Sequence, residues 1–163
     1  MKRTAGIKNY FLFIQSGREP WLEEAVRLYG EKISRIVPLE VRALKSKALA
    51  RDQARLKVQR EGELILAQLK PEDHLVIFDE QGLSFKSSEH LAQQLIQVWE
   101  SGKGRVVFVV GGAFGLSSEV KARAQMSLSL SPLTLNHHMA FLVALEQIYR
   151  TTTIWKGIPY HNA

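Results

Sequence analysis

Residues 105–110 read RVVFVV and run directly into Gly111-Gly112. Four valines and a phenylalanine without a polar interruption, closed by glycine, suit a strand buried on both faces rather than a half-exposed one. A strand of that kind needs helices above and below its sheet, which restricts the chain to parallel α/β architectures. The remaining segments alternate accordingly. Tyr10–Gln15 is short, aromatic and apolar and stops at Ser16-Gly17, the pattern of a strand. Trp21, Leu22, Ala25, Val26, Leu28, Tyr29 and Ile33 recur at helical spacing behind Pro20 and predict a helix over 19–35. Val37–Arg42 alternates and holds Pro38, so it belongs near a sheet edge. Residues 49–69 form a second helix, with Leu56, Ile65, Leu66 and Leu69 facing the core and the basic side chains outward.

After Pro71 come a strand at His74–Phe78 and a turn at Asp79–Gly82. A helix capped by Ser87 or Ser88 runs to Glu100, followed by the buried strand and a short helix from Ser117. Met126–Leu130 is the fifth strand, and a loop through Pro132 leads to a last helix over His137–Thr152. The expectation is one α/β domain over 1–163, a mostly parallel sheet between helices. The 163 residues, 45% of them hydrophobic and 23% charged, suffice for one core and exclude a disordered chain. No apolar run approaches the roughly 20 residues of a membrane-spanning helix, and the opening MKRTAGIKNYFLFIQ is too weakly apolar for a signal peptide. Cysteine is absent, so thiolate metal sites and cysteine nucleophiles are excluded and a cytoplasmic setting is expected.

Charge and motifs narrow the function. The net charge is +6, with +7 in residues 1–70 and −1 in 71–163. Arg42, Lys45, Lys47, Arg51, Arg55, Lys57 and Arg60 face only Asp52, which is either a solvated helix face or a surface for a polyanion such as nucleic acid. Gly111-Gly112-Ala113-Phe114-Gly115 follows a buried strand, where α/β sheets bind ligands, but it is neither GxGxxG nor a phosphate loop. A tight turn explains the glycines equally well. Asp79-Glu80 is a carboxylate pair or a solvated turn. His137-His138 are adjacent and point about 100° apart on a helix, so they do not form a zinc pair, and no metal is expected. The tail Trp155–His161 is too aromatic to be left in solvent and reads as docked or as the lip of a site.

Three stretches, VVFVVGGAFGLSSEV, SLSLSPLTLNHHMAFLVALEQIYR and KGIPYHNA, together resemble the bacterial ribosomal RNA large-subunit methyltransferase H family of the SPOUT class. SGREPWLEEAVRLYGEKI and FDEQGLSFKSSEHLAQQL extend the similarity over nearly the whole chain. The resemblance implies a deep trefoil knot over about 105–163, a homodimer whose partner completes the cleft, and S-adenosylmethionine as cofactor. It also implies methylation of N3 of a pseudouridine in 23S ribosomal RNA on the assembled ribosome. Family cofactor contacts fall on Phe78, Gly111, Leu130, Ser131, Pro132, Leu133, Thr134 and Leu135. Family residues near the target base fall on Arg150, Tyr160 and His161, the last a candidate general base because imidazole titrates near working pH. An inactive RNA-binding protein of the same fold, or a methyltransferase for another RNA, is the alternative. The sequence departs from the family pattern at Asn136 for proline, at Phe141 for arginine, at Asn162-Ala163 for a basic end, and in GGAFG for GGPEG. These changes imply lost positive charge on the RNA face.

Overall fold

The computed structural model describes residues 6–47, 50–102 and 104–162, without the Arg51 side chain. Residue 49, where the second helix was expected to begin, Lys103 and Ala163 lie outside the described residues. The elements are β1 (Lys8–Gln15), α1 (Pro20–Ser34), β2 (Leu39–Lys45), a 3-10 turn (Arg51–Gln53), α2 (Ala54–Leu66), β3 (His74–Leu83), α3 (Ser88–Glu100), β4 (Arg105–Val110), α4 (Ser118–Arg123), β5 (Met126–Leu128) and α5 (His137–Lys156). All strand pairings are parallel, in the order β2-β1-β4-β3-β5.

The apolar run of β4 occupies the centre of this sheet. Val106, Phe108 and Val110 enter the core under α1, α3 and α5, while Val107 and Val109 enter the second core with Ile65 of α2 and Val120 of α4. Strand periodicity of two sends alternate residues to opposite faces, and both faces are covered. β2 lies at one edge as expected, but it runs over Leu39–Lys45, so Pro38 precedes the strand instead of sitting within it. The Pro38 carbonyl accepts both the backbone N–H (3.1 Å) and side-chain amide (3.0 Å) of Asn9.

Several expectations are corrected. Ile65 is buried and Leu66 and Leu69 pack against the second core as expected. Leu56, however, is 37% exposed, and Lys57, Glu61 and Gly62 are buried beside Ile65, so one basic residue and one acidic residue of this helix face inward. β3 continues through Asp79–Gly82 to Leu83, with its pairing to β5 slipping between Phe78 and Leu83. Gly82 makes this possible, because a Cβ there would lie 2.7 Å from the Leu128 backbone. β5 ends at Leu128, two residues early, and α5 continues to Lys156, where Gly157 at φ 64° closes it. Phe141 is buried at 2% exposure and stacks on Phe13 with ring centres 4.1 Å apart. It is a core residue, and its place in the fold removes no charge from a surface.

Candidate functional site

Strands of a parallel sheet present ligands at their carboxyl ends, and here a cleft of about 380 Å³ opens at the end of β4, where its ladder with β3 stops at Phe78. Its floor is Phe78 and Val110. One wall is the glycine turn Gly111–Leu116, and the other is Thr134, Leu135, His137 and Ala140. A smaller pocket of about 70 Å³ shares Phe78, Val110, Leu135 and Ala140 and extends under Ser129, Leu130, Ser131 and Leu133. The two form one trough. Of the candidate cofactor residues, Phe78, Gly111, Leu130, Ser131, Leu133, Thr134 and Leu135 line it. Pro132 does not; it sits exposed at the outer bend of the loop.

The local sequence explains these walls. Gly115 adopts φ +83°, a conformation that glycine alone enters readily, and its N–H donates to the Gly112 carbonyl at 3.1 Å to fold the turn back. A Cβ on Gly111 would meet Gly115 and Leu116 at 3.0 Å, so this glycine serves the turn's own closure rather than an opening towards the cleft. Ser117 ends the turn as the N-cap of α4, accepting from the Val120 N–H at 3.3 Å. The Ser129 N–H still donates to the Leu83 carbonyl of β3 at 2.8 Å, and the Asn136 carbonyl accepts the Ala140 N–H of α5 at 2.8 Å. Residues 130–135 between them belong to no helix or strand, so backbone groups there lie outside any ladder and suit a heterocycle's edge. Ser131 Oγ stiffens this loop by accepting the Leu133 N–H at 3.0 Å. Asn136 has a local purpose: its side chain caps α5, accepting the His138 N–H at 2.9 Å.

Charge around the trough is arranged unevenly. Asp79 pairs with Lys121 at 2.8 Å, and Glu80 lies beside them. His137 is half-buried in the cleft wall, and burial, His138 and then Lys57 push its pKa down, which keeps the imidazole neutral and able to accept a proton at neutral pH. Sequence reasoning passed over this residue because a histidine pair reads as a failed metal site; its place at the first turn of α5 was the available signal. Among the described residues no group of three metal-ligating side chains occurs.

Arg150, Tyr160 and His161 do come together, but elsewhere. Arg150 Nη2 binds Glu146 Oε1 at 2.6 Å, its Nη1 donates to His161 Nδ1 at 3.0 Å, and its guanidinium lies 4.7 Å over the Tyr160 ring. The Tyr160 hydroxyl donates to Glu146 at 2.9 Å, and burial with that carboxylate beside it pushes the phenol pKa up. Since Arg150 only donates, Nδ1 of His161 is the acceptor and Nε2–H donates to Glu89 Oε1 at 2.7 Å. That bond holds the exposed Glu89 carboxyl down at about 2. None of the three residues lines the trough. Ten residues of helix separate Ala140 from Arg150, about 15 Å along α5.

A second opening, about 510 Å³, lies between β2 and α2 and is lined by Lys45, Ser46, Lys47, Lys57, Arg60, Glu63, Leu64 and Ala67. The basic segment therefore concentrates four of its charges on one concave surface. Lys57 and Glu61 form the boundary between this opening and the glycine turn. Lys57 Nζ is 3.7 Å from Glu61 and 5.6 Å from the Phe114 ring.

Comparison with known proteins gives a consistent set. The profile of the family described as "Predicted SPOUT methyltransferase" matches residues 7–161. A protein of Bdellovibrio bacteriovorus named "Ribosomal RNA large subunit methyltransferase H" is 43% identical over 149 residues, 91% of this chain and 95% of that one. Its namesake in Maridesulfovibrio salexigens is 39% identical over 155 residues, 95% of this chain and 98% of that one. Among solved structures, a probable methyltransferase from Bordetella pertussis superposes with TM-score 0.52 at 14% identity, covering 92% of this chain and 99% of the other. A probable methylase family protein from Haemophilus influenzae gives 0.53 at 11%, covering 94% and 68%. At those identities the structural likeness speaks for the fold alone.

Proposed function

The chain belongs to the SPOUT methyltransferase family, whose methyl donor is S-adenosylmethionine, and from that premise we propose that it methylates N3 of a pseudouridine in 23S ribosomal RNA on the assembled bacterial ribosome, in the cytoplasm. The observation that carries this reading is the trough at the carboxyl end of β4, where its ladder with β3 stops. Its apolar side chains Phe78, Val110, Leu130, Leu133 and Leu135 suit the faces of adenine. The non-ladder backbone of 130–135 suits its polar edge, and the glycine turn suits the rest of the donor. When bound, S-adenosylmethionine supplies a methyl group already activated by a sulfonium, so the protein's share is alignment and removal of the N3 proton.

The Arg150–Tyr160–His161 group is proposed to act at the trough of a second copy. The 15 Å separation within one chain supports that assignment. So does the exposed apolar face of Trp21 and Leu28, seven residues apart on α1, beside the groove of Phe13, Leu22, Val26 and His138. In this arrangement Tyr160 stacks on a base and Arg150 holds a phosphate. For His161 to take the imino proton, Arg150 must release Nδ1, the ring's one lone pair, as it turns to a phosphate. The proton then sits on Nδ1 while Nε2–H stays on Glu89, which stabilises the imidazolium. The knotted passage of residues 105–163 is part of the same reading. It is supported by the route of 129–136, which leaves the sheet edge at β5 and brings α5 onto Phe11 and Phe13 of β1.

The test is calorimetric titration with S-adenosylmethionine and S-adenosylhomocysteine, then methyl transfer to whole ribosomes, isolated subunits and free 23S RNA. The expected result is saturable binding of both ligands and one methyl group on a pseudouridine of whole ribosomes. Absence of binding with and without ribosomes favours an inactive RNA-binding protein.

A further inference from the structure

Glu61 is the least explained charge in the molecule. It is 2% exposed, on the inner face of α2. Oε1 accepts from the Ser46 hydroxyl at 3.1 Å and faces Lys57 Nζ at 3.7 Å. Oε2 is buried and, among the described residues, meets no hydrogen-bond donor. A carboxylate placed only to hold α2 against β2 would spend both oxygens on that task, because an unmade buried hydrogen bond is costly.

The free oxygen has a direction. A Cβ on Gly112 would lie 2.7 Å from Oε2 and 3.1 Å from Oε1, so the carboxyl sits directly against the Cα of a residue that lines the cofactor cleft. One glycine, with no side chain to intervene, separates the negative charge from the trough. The counter-ion Lys57 faces Oε1 and also lies against the turn, 5.6 Å from the Phe114 ring. The atoms nearest a Gly112 Cβ are all those of the Glu61 carboxyl, so the negative member of the pair is the one in contact with this part of the wall. Other charges near that wall cancel or are solvated: Asp79 is bound to Lys121, and Glu80 is exposed. Burial raises the Glu61 pKa, and Ser46 and Lys57 oppose that rise.

We propose that Glu61 is a positioning residue that makes the glycine-turn wall of the cleft negative, so that the cationic sulfonium donor is held in preference to its neutral thioether product. This rests on the donor assignment made above. It gives the site a way to release product. Loss of the methyl group removes the ligand's sulfonium charge, and with it the attraction to the wall.

The decisive measurement is the ratio of dissociation constants for S-adenosylhomocysteine and S-adenosylmethionine, in the wild-type chain and in Glu61→Gln. Glutamine keeps the shape and the Ser46 contact and removes the charge. Removing a unit charge about 10 Å from a cation, at an effective dielectric of about 20, changes affinity on the order of tenfold, and Lys57, present in both proteins, drops out of the comparison. We expect Glu61→Gln to weaken S-adenosylmethionine about tenfold and S-adenosylhomocysteine by less than about twofold. An amine analogue of the sulfonium should follow the first. A purely structural role moves all three ligands together, and an unchanged ratio overturns the proposal while leaving the methyltransferase reading intact. Wild-type protein that binds neither ligand overturns both. Should Glu61→Gln fail to fold, the double variant Lys57→Met, Glu61→Leu, which leaves no buried charge unpaired, should still shift the ratio in the same direction.

Discussion

Gly62 sits in the interior of α2, where replacing glycine with alanine ordinarily stabilises a helix by about 1 kcal/mol. Here the opposite is expected. A Cβ at this position would overlap the hydroxyl oxygen of Ser117 and lie 2.9 Å from its Cβ. Ser117 is buried and caps α4, so it does not swing aside freely. Overpacking of this kind costs about 1–3 kcal/mol, and displacing the cap adds about 1 kcal/mol. Gly62→Ala should therefore lose about 1–3 kcal/mol net in urea denaturation. Because Ser117 ends the glycine turn, affinity for S-adenosylmethionine should fall with it. The double variant separates the causes. Ser117→Gly alone costs only a few tenths, since glycine is a tolerable N-cap. Combined with Gly62→Ala it removes the overlap and leaves the propensity gain, giving a coupling energy of about 2–4 kcal/mol in the cycle. A Gly62→Ala protein about 1 kcal/mol more stable than wild type would refute the close packing of α2 on the turn.

Three further outcomes follow from the same geometry. Gly111→Val should abolish S-adenosylmethionine binding and also lower stability by about 1–3 kcal/mol, because its Cβ meets Gly115 and Leu116 at 3.0 Å rather than open cleft; normal binding by titration would show that the turn is not the donor's wall. RNA association should weaken with salt, with a log–log slope of roughly −3.5 for about five single-strand phosphates, and Lys45→Ala with Arg60→Ala should flatten it by about 1.4; a slope near zero leaves the basic opening as a solvated surface. His137, whose pKa is lowered in the folded chain, binds fewer protons there than in the unfolded chain. Its contribution to stability is thus present above the unfolded value of about 6.5 and lost as pH falls below it. His137→Gln should reduce the fall in denaturation midpoint below pH 6.5, and an unaltered acid limb would place the titration elsewhere.

The parallel sheet was legible because RVVFVV has one physical solution, a strand covered on both faces, and β4 duly takes the centre. Strand ends were less so. Asp79–Gly82 carries every signal of a turn, yet β3 runs on, since Gly82 lets its backbone press against Leu128 and tertiary pairing overrides local preference. α2 was misread for a related reason. Leu56 looks like a core residue by spacing, whereas the helix turns Lys57, Glu61 and Gly62 inward to back the glycine turn. An amphipathic pattern identifies a buried face only where that face is apolar.

The site shows the same division. Strand position pointed only to the glycine turn, where a tight turn explained the glycines equally well; Phe78 and residues 130–135 were placed by the resemblance. The tail group was located by resemblance, and its side chains do cluster, but they hold one another 15 Å along α5 from the trough. Distances across a second copy are not written in the pattern of one chain. Glu61 had no signal at all beyond a charge in a charged helix. What singles it out is a relation between two distant residues: a carboxyl oxygen left without a donor, and a glycine whose missing side chain gives it room. Local pattern encodes which residues are buried, whereas the reason for burying a charge lies in what it faces across the fold. On the two proposals made above, the buried inner face of α2 serves the cofactor and its exposed basic face serves the RNA, and one helix forms the boundary between the two.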